Sequence, residues 1–113
     1  MDELSLQQEG FELIRKSFDL DLGEIPTSRA DMVQAIADRV AYWLEYDVEQ
    51  LFSFLYRMDI DQSKGEQALK WGNIVPANIG VAELIFQRQL DRLMTKKKYK
   101  QPDIEDLDEE LRY

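Results

Sequence analysis

The longest succession of helically spaced apolar residues in this chain lies in SRADMVQAIADRVAYWLEYDVEQLFSFLYRM, residues 28–58. Apolar side chains recur along it every three or four positions, which is the spacing of one buried face of an α-helix. Ser28 can accept a hydrogen bond from the first turn, and Asp31 places an acid near the same N–H groups, so a helix is predicted to begin here. The apolar stripe consists of Val33, Ile36, Val40, Trp43, Leu44, Val48, Leu51, Phe52, Leu55 and Met58.

Two interpretations of this stripe remain open around residue 46. The apolar spacing runs on without interruption, which suits one long helix over residues 29–58. Asp47, with Gln50 three positions later, has instead the pattern of a fresh helix N-cap. We favour a break or kink near Tyr46 and Asp47, which divides the stretch into two helices.

The flanking segments also have helical patterns. Residues 4–18 place apolar side chains at helical spacing and predict a short helix, and residues 19–27 gather Asp, Gly and Pro into a loop. On the other side, Ser63-Lys-Gly-Glu66 is a capping box that predicts a short helix. The residues of that helix predicted to face inward are Ala68, Leu69 and Trp71.

The C-terminal part of the chain completes the prediction. Gly72 stands where a helix C-cap glycine belongs, and the last long helix is predicted to begin between Pro76 and Ile79 and to end near Lys98. No segment alternates apolar and polar residues as a strand does, and no repeat is present. The fold class is therefore all-α: residues 1–100 form a single domain, a small bundle of four to five helices with short loops. Residues 101–113, with six acids and one base, form a flexible acidic tail.

The composition excludes much of enzyme chemistry. The chain has no Cys, so it lacks a thiolate nucleophile, a disulfide framework and cysteine ligands for zinc or an iron–sulfur cluster. It also has no His, the commonest general base and the commonest metal ligand. We therefore expect a protein that is not an enzyme, with no catalytic residues, no metal and no cofactor.

Charge and hydropathy bear on compartment and partners. No apolar run reaches the roughly 18 residues of a membrane span, and the first ten residues, MDELSLQQEG, are acidic and polar, unlike a signal peptide. These features predict a cytoplasmic protein without a membrane partner. The net charge of −9 disfavours nonspecific binding to nucleic acid.

One acidic segment resembles the start of a calcium loop. Asp59-x-Asp61-x-Ser63-x-Gly65 has oxygen-bearing side chains at alternate positions. An EF-hand requires Gly at its sixth position and Glu at its twelfth, and Lys stands at both positions here. A polar turn followed by a helix cap explains the segment better.

The middle of the chain is unusually rich in aromatic rings. On a helix, Trp43 and Phe52 can face the core, whereas Tyr42, Phe54 and Tyr56 are predicted to point partly elsewhere. Another helix of the same bundle could cover these rings; otherwise they form an exposed patch of the kind that binds a partner. The candidate partner-binding face consists of Tyr42, Trp43, Tyr46, Phe54 and Tyr56.

A basic stripe on the last helix is a second candidate site. Arg88, Arg92, Lys96 and Lys100 are spaced by four, so they line one edge of a helix and could bind phosphates or an acidic protein surface. Two simpler explanations are that bases complement the dipole at a helix C-terminus, or that the acidic tail folds back and neutralises them.

The leading functional hypothesis is a noncatalytic helical protein that binds another protein, itself first of all, through aromatic residues within 42–58. The first alternative is a phosphate or nucleic-acid binder that uses the basic stripe. The second is a small-ligand protein or enzyme with a site between helices, where Tyr and carboxylate side chains would transfer protons.

Overall fold

The computed structural model describes residues 3–17, 20–70 and 75–98, which form five α-helices and no strand. The helices are α1 (Glu3–Ser17), α2 (Arg29–Tyr46), α3 (Val48–Arg57), α4 (Gln62–Ala68) and α5 (Ala77–Lys98). The predicted all-α bundle is confirmed, and every helix except α4 begins at or next to the predicted residue. The predicted acidic tail, 101–113, lies outside the described residues, as do Trp71 and Gly72.

The core lies between α2 and α5, which make the most extensive contact of any two helices. α1 packs mainly against α5, α3 packs against α2, and α4 lies against both α3 and α5. α1, α2, α3 and α5 contribute buried apolar side chains at three- and four-residue spacing, so one face of each is removed from water. α4 buries only Gly65 and packs Ala68 against the core. The core residues are Phe11, Ile14, Met32, Val33, Ile36, Ala37, Val40, Trp43, Leu51, Phe54, Leu55, Met58, Val81, Ala82, Ile85, Phe86 and Leu90.

The break between α2 and α3 lies at Asp47, as predicted. The Asp47 N–H donates to the Trp43 carbonyl oxygen (2.8 Å) and so closes the last turn of α2. The Asp47 carboxylate accepts a hydrogen bond from the Gln50 N–H (3.2 Å) and so caps the first turn of α3. One residue ends the first helix and begins the second, because its extended φ of −159° leaves the helical region.

The prediction for α4 is wrong in detail. Asp61, not Ser63, is the N-cap: its carboxylate accepts hydrogen bonds from the N–H and the hydroxyl of Ser63, each at 3.0 Å. Because the Asp61 carboxylate accepts the first-turn N–H of Ser63, the helix begins at Gln62, ahead of the capping-box serine. It ends at Ala68, with Leu69 as its C-cap.

A glycine allows α1 to lie close to α5. Gly10 is buried, and a Cβ atom placed on it would lie 2.9 Å from Cδ2 of Leu90. Glycine is unfavourable inside a helix by about 1 kcal/mol relative to alanine, and here the close approach of the two helices offsets that cost. Near the same crossing, Lys97 Nζ lies 3.3 Å from a carboxylate oxygen of Glu9.

Candidate functional site

The five aromatic residues predicted to bind a partner divide into two groups. Trp43 and Phe54 are buried in the core, and their ring centroids lie 5.2 Å apart at an interplanar angle of 45°. Tyr42, Tyr46 and Tyr56 are exposed. The structure therefore brings Trp43 and Phe54 together as a core contact, and it leaves the three tyrosines on the surface.

The predicted outward position of Phe54 is wrong. Phe54 is 1% exposed, whereas Phe52, predicted to face the core, is 44% exposed. The reason is the helical spacing of α3: Phe54 shares one face with Leu51 and Leu55, which lie three positions before it and one after it. Phe52 lies outside this face, so it is Phe52 and not Phe54 that belongs with the exposed rings.

The outer side of α3 carries two parallel rows of side chains. Members of each row are four positions apart, so they are neighbours along the helix surface. The first, which we call the aromatic ridge, consists of Val48, Phe52 and Tyr56, which are 43%, 44% and 86% exposed. The second, which we call the charged ridge, consists of Glu49, Ser53 and Arg57, all exposed. Both rows lie away from the face that α3 buries.

A groove opens beside the aromatic ridge, between α3 and α4. Its volume is about 270 Å³, which suits one or two bulky side chains better than a drug-sized molecule. Its apolar floor continues from the exposed ring of Phe52, and Asp61 and Gln62 supply a polar edge. The lining residues are Phe52, Leu55, Tyr56, Ile60, Asp61, Gln62 and Gly65.

The exposed tyrosines of α2 form a pair of their own. Tyr42 and Tyr46 are four positions apart, and their ring centroids are separated by 5.0 Å. A hydrogen bond to the Glu45 side chain, together with some desolvation, raises the pKa of Tyr46 above the ordinary value of about 10. The Tyr46 hydroxyl is therefore placed on the surface as a hydrogen-bonding group.

An open groove lies beside Tyr42, on the other side of this pair. It has a volume of about 540 Å³ between the loop after α1 and α2. The Arg39 guanidinium lies 5.8 Å from the Tyr42 ring centroid, a cation–π distance, and Asp21 and Asp38 also line the groove. This polar groove is continuous with the exposed surface of α2, and its lining contains charged side chains of both signs.

The residues of the basic stripe predicted on α5 have different surroundings: Arg88 forms contacts within the fold, whereas Arg92 and Lys96 are exposed. Arg88 Nε donates to the carbonyl oxygen of Met58 (3.0 Å), and its guanidinium reaches Asp59 (3.4 Å). Arg92 and Lys96 are exposed and line a shallow groove beside Glu9. Lys100 lies outside the described residues. Arg88 thus holds the end of α3, which removes one of the four predicted anion-binding groups from the stripe.

The acidic segment that resembles a calcium loop is a turn and a helix cap. Asp59 adopts a left-handed conformation (φ 59°), and hydrogen bonds from the Ser63 backbone N–H and hydroxyl lower the pKa of Asp61. Among the described residues, no three acidic side chains are placed to hold a metal ion together. The same residues include no buried polar or charged side chain.

Comparisons with known proteins give no match to a protein-family model, a curated protein or a solved structure. In the part of the chain that the structure describes, every helix is too short or too polar to cross a membrane. The residues that sequence reasoning missed are Val48, Phe52 and Ile60, and the signal that could have found the first two is their four-residue spacing with Tyr56.

Proposed function

We propose that this protein is a noncatalytic helical module that binds another protein through the outer face of α3. The observation that supports this proposal is the aromatic ridge: Val48, Phe52 and Tyr56 form one exposed apolar row on a ten-residue helix whose opposite face already fills the core. Burying apolar surface stabilises an assembly by about 25 cal/mol per Å², so leaving this row in water forgoes a gain that a partner can supply.

The chemistry of the ridge is that of a protein interface. Aromatic side chains are enriched at the centres of interfaces because they bury a large area while fixing few rotatable bonds. The groove beside Phe52 and Tyr56 gives a partner side chain somewhere to insert, and Asp61 and Gln62 lie at its edge to hydrogen-bond the partner. Tyr42 and Tyr46 on α2 offer a second aromatic pair near the start of α3.

The other candidate functions have less support. An anion-binding stripe needs cationic groups that face solvent together, and Arg88 instead contacts Met58. A small-ligand or enzymatic site needs an enclosed pocket with convergent polar groups. The groove beside α3 is small and mostly apolar, and the larger polar groove beside Tyr42 is open to solvent. A protein partner fits the groove beside α3, because one or two side chains of the partner can insert into it.

A capture experiment with matched variants tests the proposal. Wild-type protein and the double variant Phe52→Gln/Tyr56→Gln are immobilised and exposed to an extract of the source cells, with soluble tagged wild type added as a second probe. The control is Val75→Gln/Met94→Gln, which removes two exposed apolar side chains from other parts of the surface. We expect the same bound proteins with wild type and control, and their loss with the α3 variant at unchanged helical content. Equal capture by all three would contradict the proposal.

A further inference from the structure

The outer face of α3 is complementary to itself when one copy is reversed. Glu49 stands in the first turn of the helix and Arg57 in the last, both on the charged ridge. On the aromatic ridge, the smaller Val48 lies at the first end and the larger Tyr56 at the last. Phe52 and Ser53 occupy the centres of the two ridges, one residue apart, which is a shift of about 1.5 Å along the axis.

A twofold axis between two antiparallel α3 helices places each ridge against its own copy. Phe52 then lies beside Phe52 of the second copy, and Val48 lies beside the second copy's Tyr56. Glu49 lies opposite the second copy's Arg57, and the same charge pair occurs again at the other end. Because the two ridge centres differ by only about 1.5 Å, one axis aligns both ridges together.

We propose, resting on the function proposed above, that the protein bound by the outer face of α3 is a second copy of this chain in antiparallel orientation. Charge decides the orientation. A parallel twofold pair would place the charged ridge of each copy against the aromatic ridge of the other, with Glu49 beside Val48 and Arg57 beside Tyr56. Only the antiparallel pair forms two opposite-charge contacts. Shape agrees, since a small side chain meets a large one at each end and two phenylalanine rings meet at the centre.

The antiparallel pair makes a prediction that a general hydrophobic contact does not make. Glu49→Arg alone creates two contacts between arginines in a homodimer, and Arg57→Glu alone creates two contacts between glutamates. When the two variants are mixed, the arginine introduced in the first variant faces the glutamate introduced in the second. At the other end, the unchanged Arg57 of the first variant faces the unchanged Glu49 of the second. Each variant should therefore fail to pair with itself and should pair with the other.

Sedimentation equilibrium and native mass spectrometry of the full chain test this at low and moderate salt. Wild type is expected to dimerise, each single variant to dimerise about tenfold more weakly, and the equimolar mixture to recover heterodimer at close to wild-type strength. The controls are Asp91→Arg and Lys70→Glu, which change net charge equally at exposed positions off α3. They should leave dimerisation unchanged. Circular dichroism checks that every variant is folded.

The possible failures separate this inference from the proposed function. A monomeric wild type would overturn the second copy as partner, while capture of another protein through Phe52 and Tyr56 would still support the proposed function. Dimerisation that needs Phe52 and Tyr56 but is not restored in the mixture would overturn the antiparallel arrangement alone. Dimerisation that survives Phe52→Gln/Tyr56→Gln would place self-association on another surface and overturn the inference.

Discussion

Arg88 of α5 donates a hydrogen bond from Nε to the main-chain oxygen of Met58, 3.0 Å away, and so ties the end of α3 to the longest helix. Carbonyl groups at the end of a helix receive no hydrogen bond from an N–H of the same helix. The Arg88 donor therefore satisfies the Met58 carbonyl oxygen, which would otherwise need a hydrogen bond from water. The same guanidinium reaches Asp59, whose left-handed conformation turns the chain away from α3. This contact helps to fix which side of α3 faces outward.

Removing the donor of Arg88 should destabilise the fold. Arg88→Met keeps the apolar stem but leaves the Met58 carbonyl without this hydrogen bond, so we expect the free energy of unfolding to fall by about 1–2 kcal/mol in urea titrations. Arg92→Met is the matched control, four positions along the same helix and exposed; its effect should stay within about 0.5 kcal/mol. Equal effects of the two substitutions would contradict a structural role for Arg88.

Truncation of two phenylalanines of α3 should lower stability to very different extents. Phe54→Ala empties a core position beside Trp43 and should lower the free energy of unfolding by about 3–5 kcal/mol. Phe52→Ala, two residues away, removes a partly exposed ring and should cost less than about 1 kcal/mol in the monomer. Denaturant unfolding at low protein concentration measures both. A larger loss for Phe52→Ala than for Phe54→Ala would show that the assigned faces of α3 are reversed.

The break between α2 and α3 should depend on the Asp47 side chain. Asp47→Ala removes the acceptor of the Gln50 N–H and should lower the free energy of unfolding by about 0.5–2 kcal/mol. Asp47→Asn keeps a capping oxygen and should remain close to wild type. Thermal and urea unfolding of the three proteins provide the comparison. If the alanine variant were as stable as wild type, the carboxylate would have no role in holding the break.

Acid should weaken the cap of α4. Hydrogen bonds from the Ser63 N–H and hydroxyl stabilise the ionised Asp61 carboxylate and hold its pKa below the ordinary value of about 3.9. Since the folded-state pKa is the lower one, this stabilisation is complete above the unfolded-state pKa and is lost as pH falls through the folded-state pKa.

Melting temperatures of wild type and Asp61→Asn between pH 6 and pH 2.5 test this. The asparagine variant keeps a capping oxygen without a titrating group, so its melting temperature should fall less steeply below about pH 4. Ser63→Ala removes the hydroxyl donor and keeps the N–H donor, so its slope should be intermediate. Identical slopes for wild type and Asp61→Asn would rule out a contribution of this carboxylate to acid sensitivity.

Much of the secondary structure could be predicted from local chemistry. Ser28 and Asp47 each accept a hydrogen bond from an N–H three residues ahead, so their caps are visible as residue patterns. α5 begins directly after Pro76, a residue that suits a first turn and cannot continue a preceding helix. The α4 cap was misplaced because Asp61 and Ser63 both have capping side chains, and only the hydrogen bond between them shows which one acts as the acceptor.

The candidate site was less predictable, because α3 is apolar on two sides. Leu51 and Phe54 mark one apolar row and Phe52 and Tyr56 mark another, and periodicity alone treats both as possible core faces. Helix caps and turns form between residues a few positions apart, so the order of residues along the chain determined them. The row that α3 buries depends on helices distant in sequence, because α3 packs against α2 and α4. The partner of Arg88 likewise depends on tertiary structure, since the contact between α5 and the end of α3 gives this side chain the Met58 carbonyl in place of an anion.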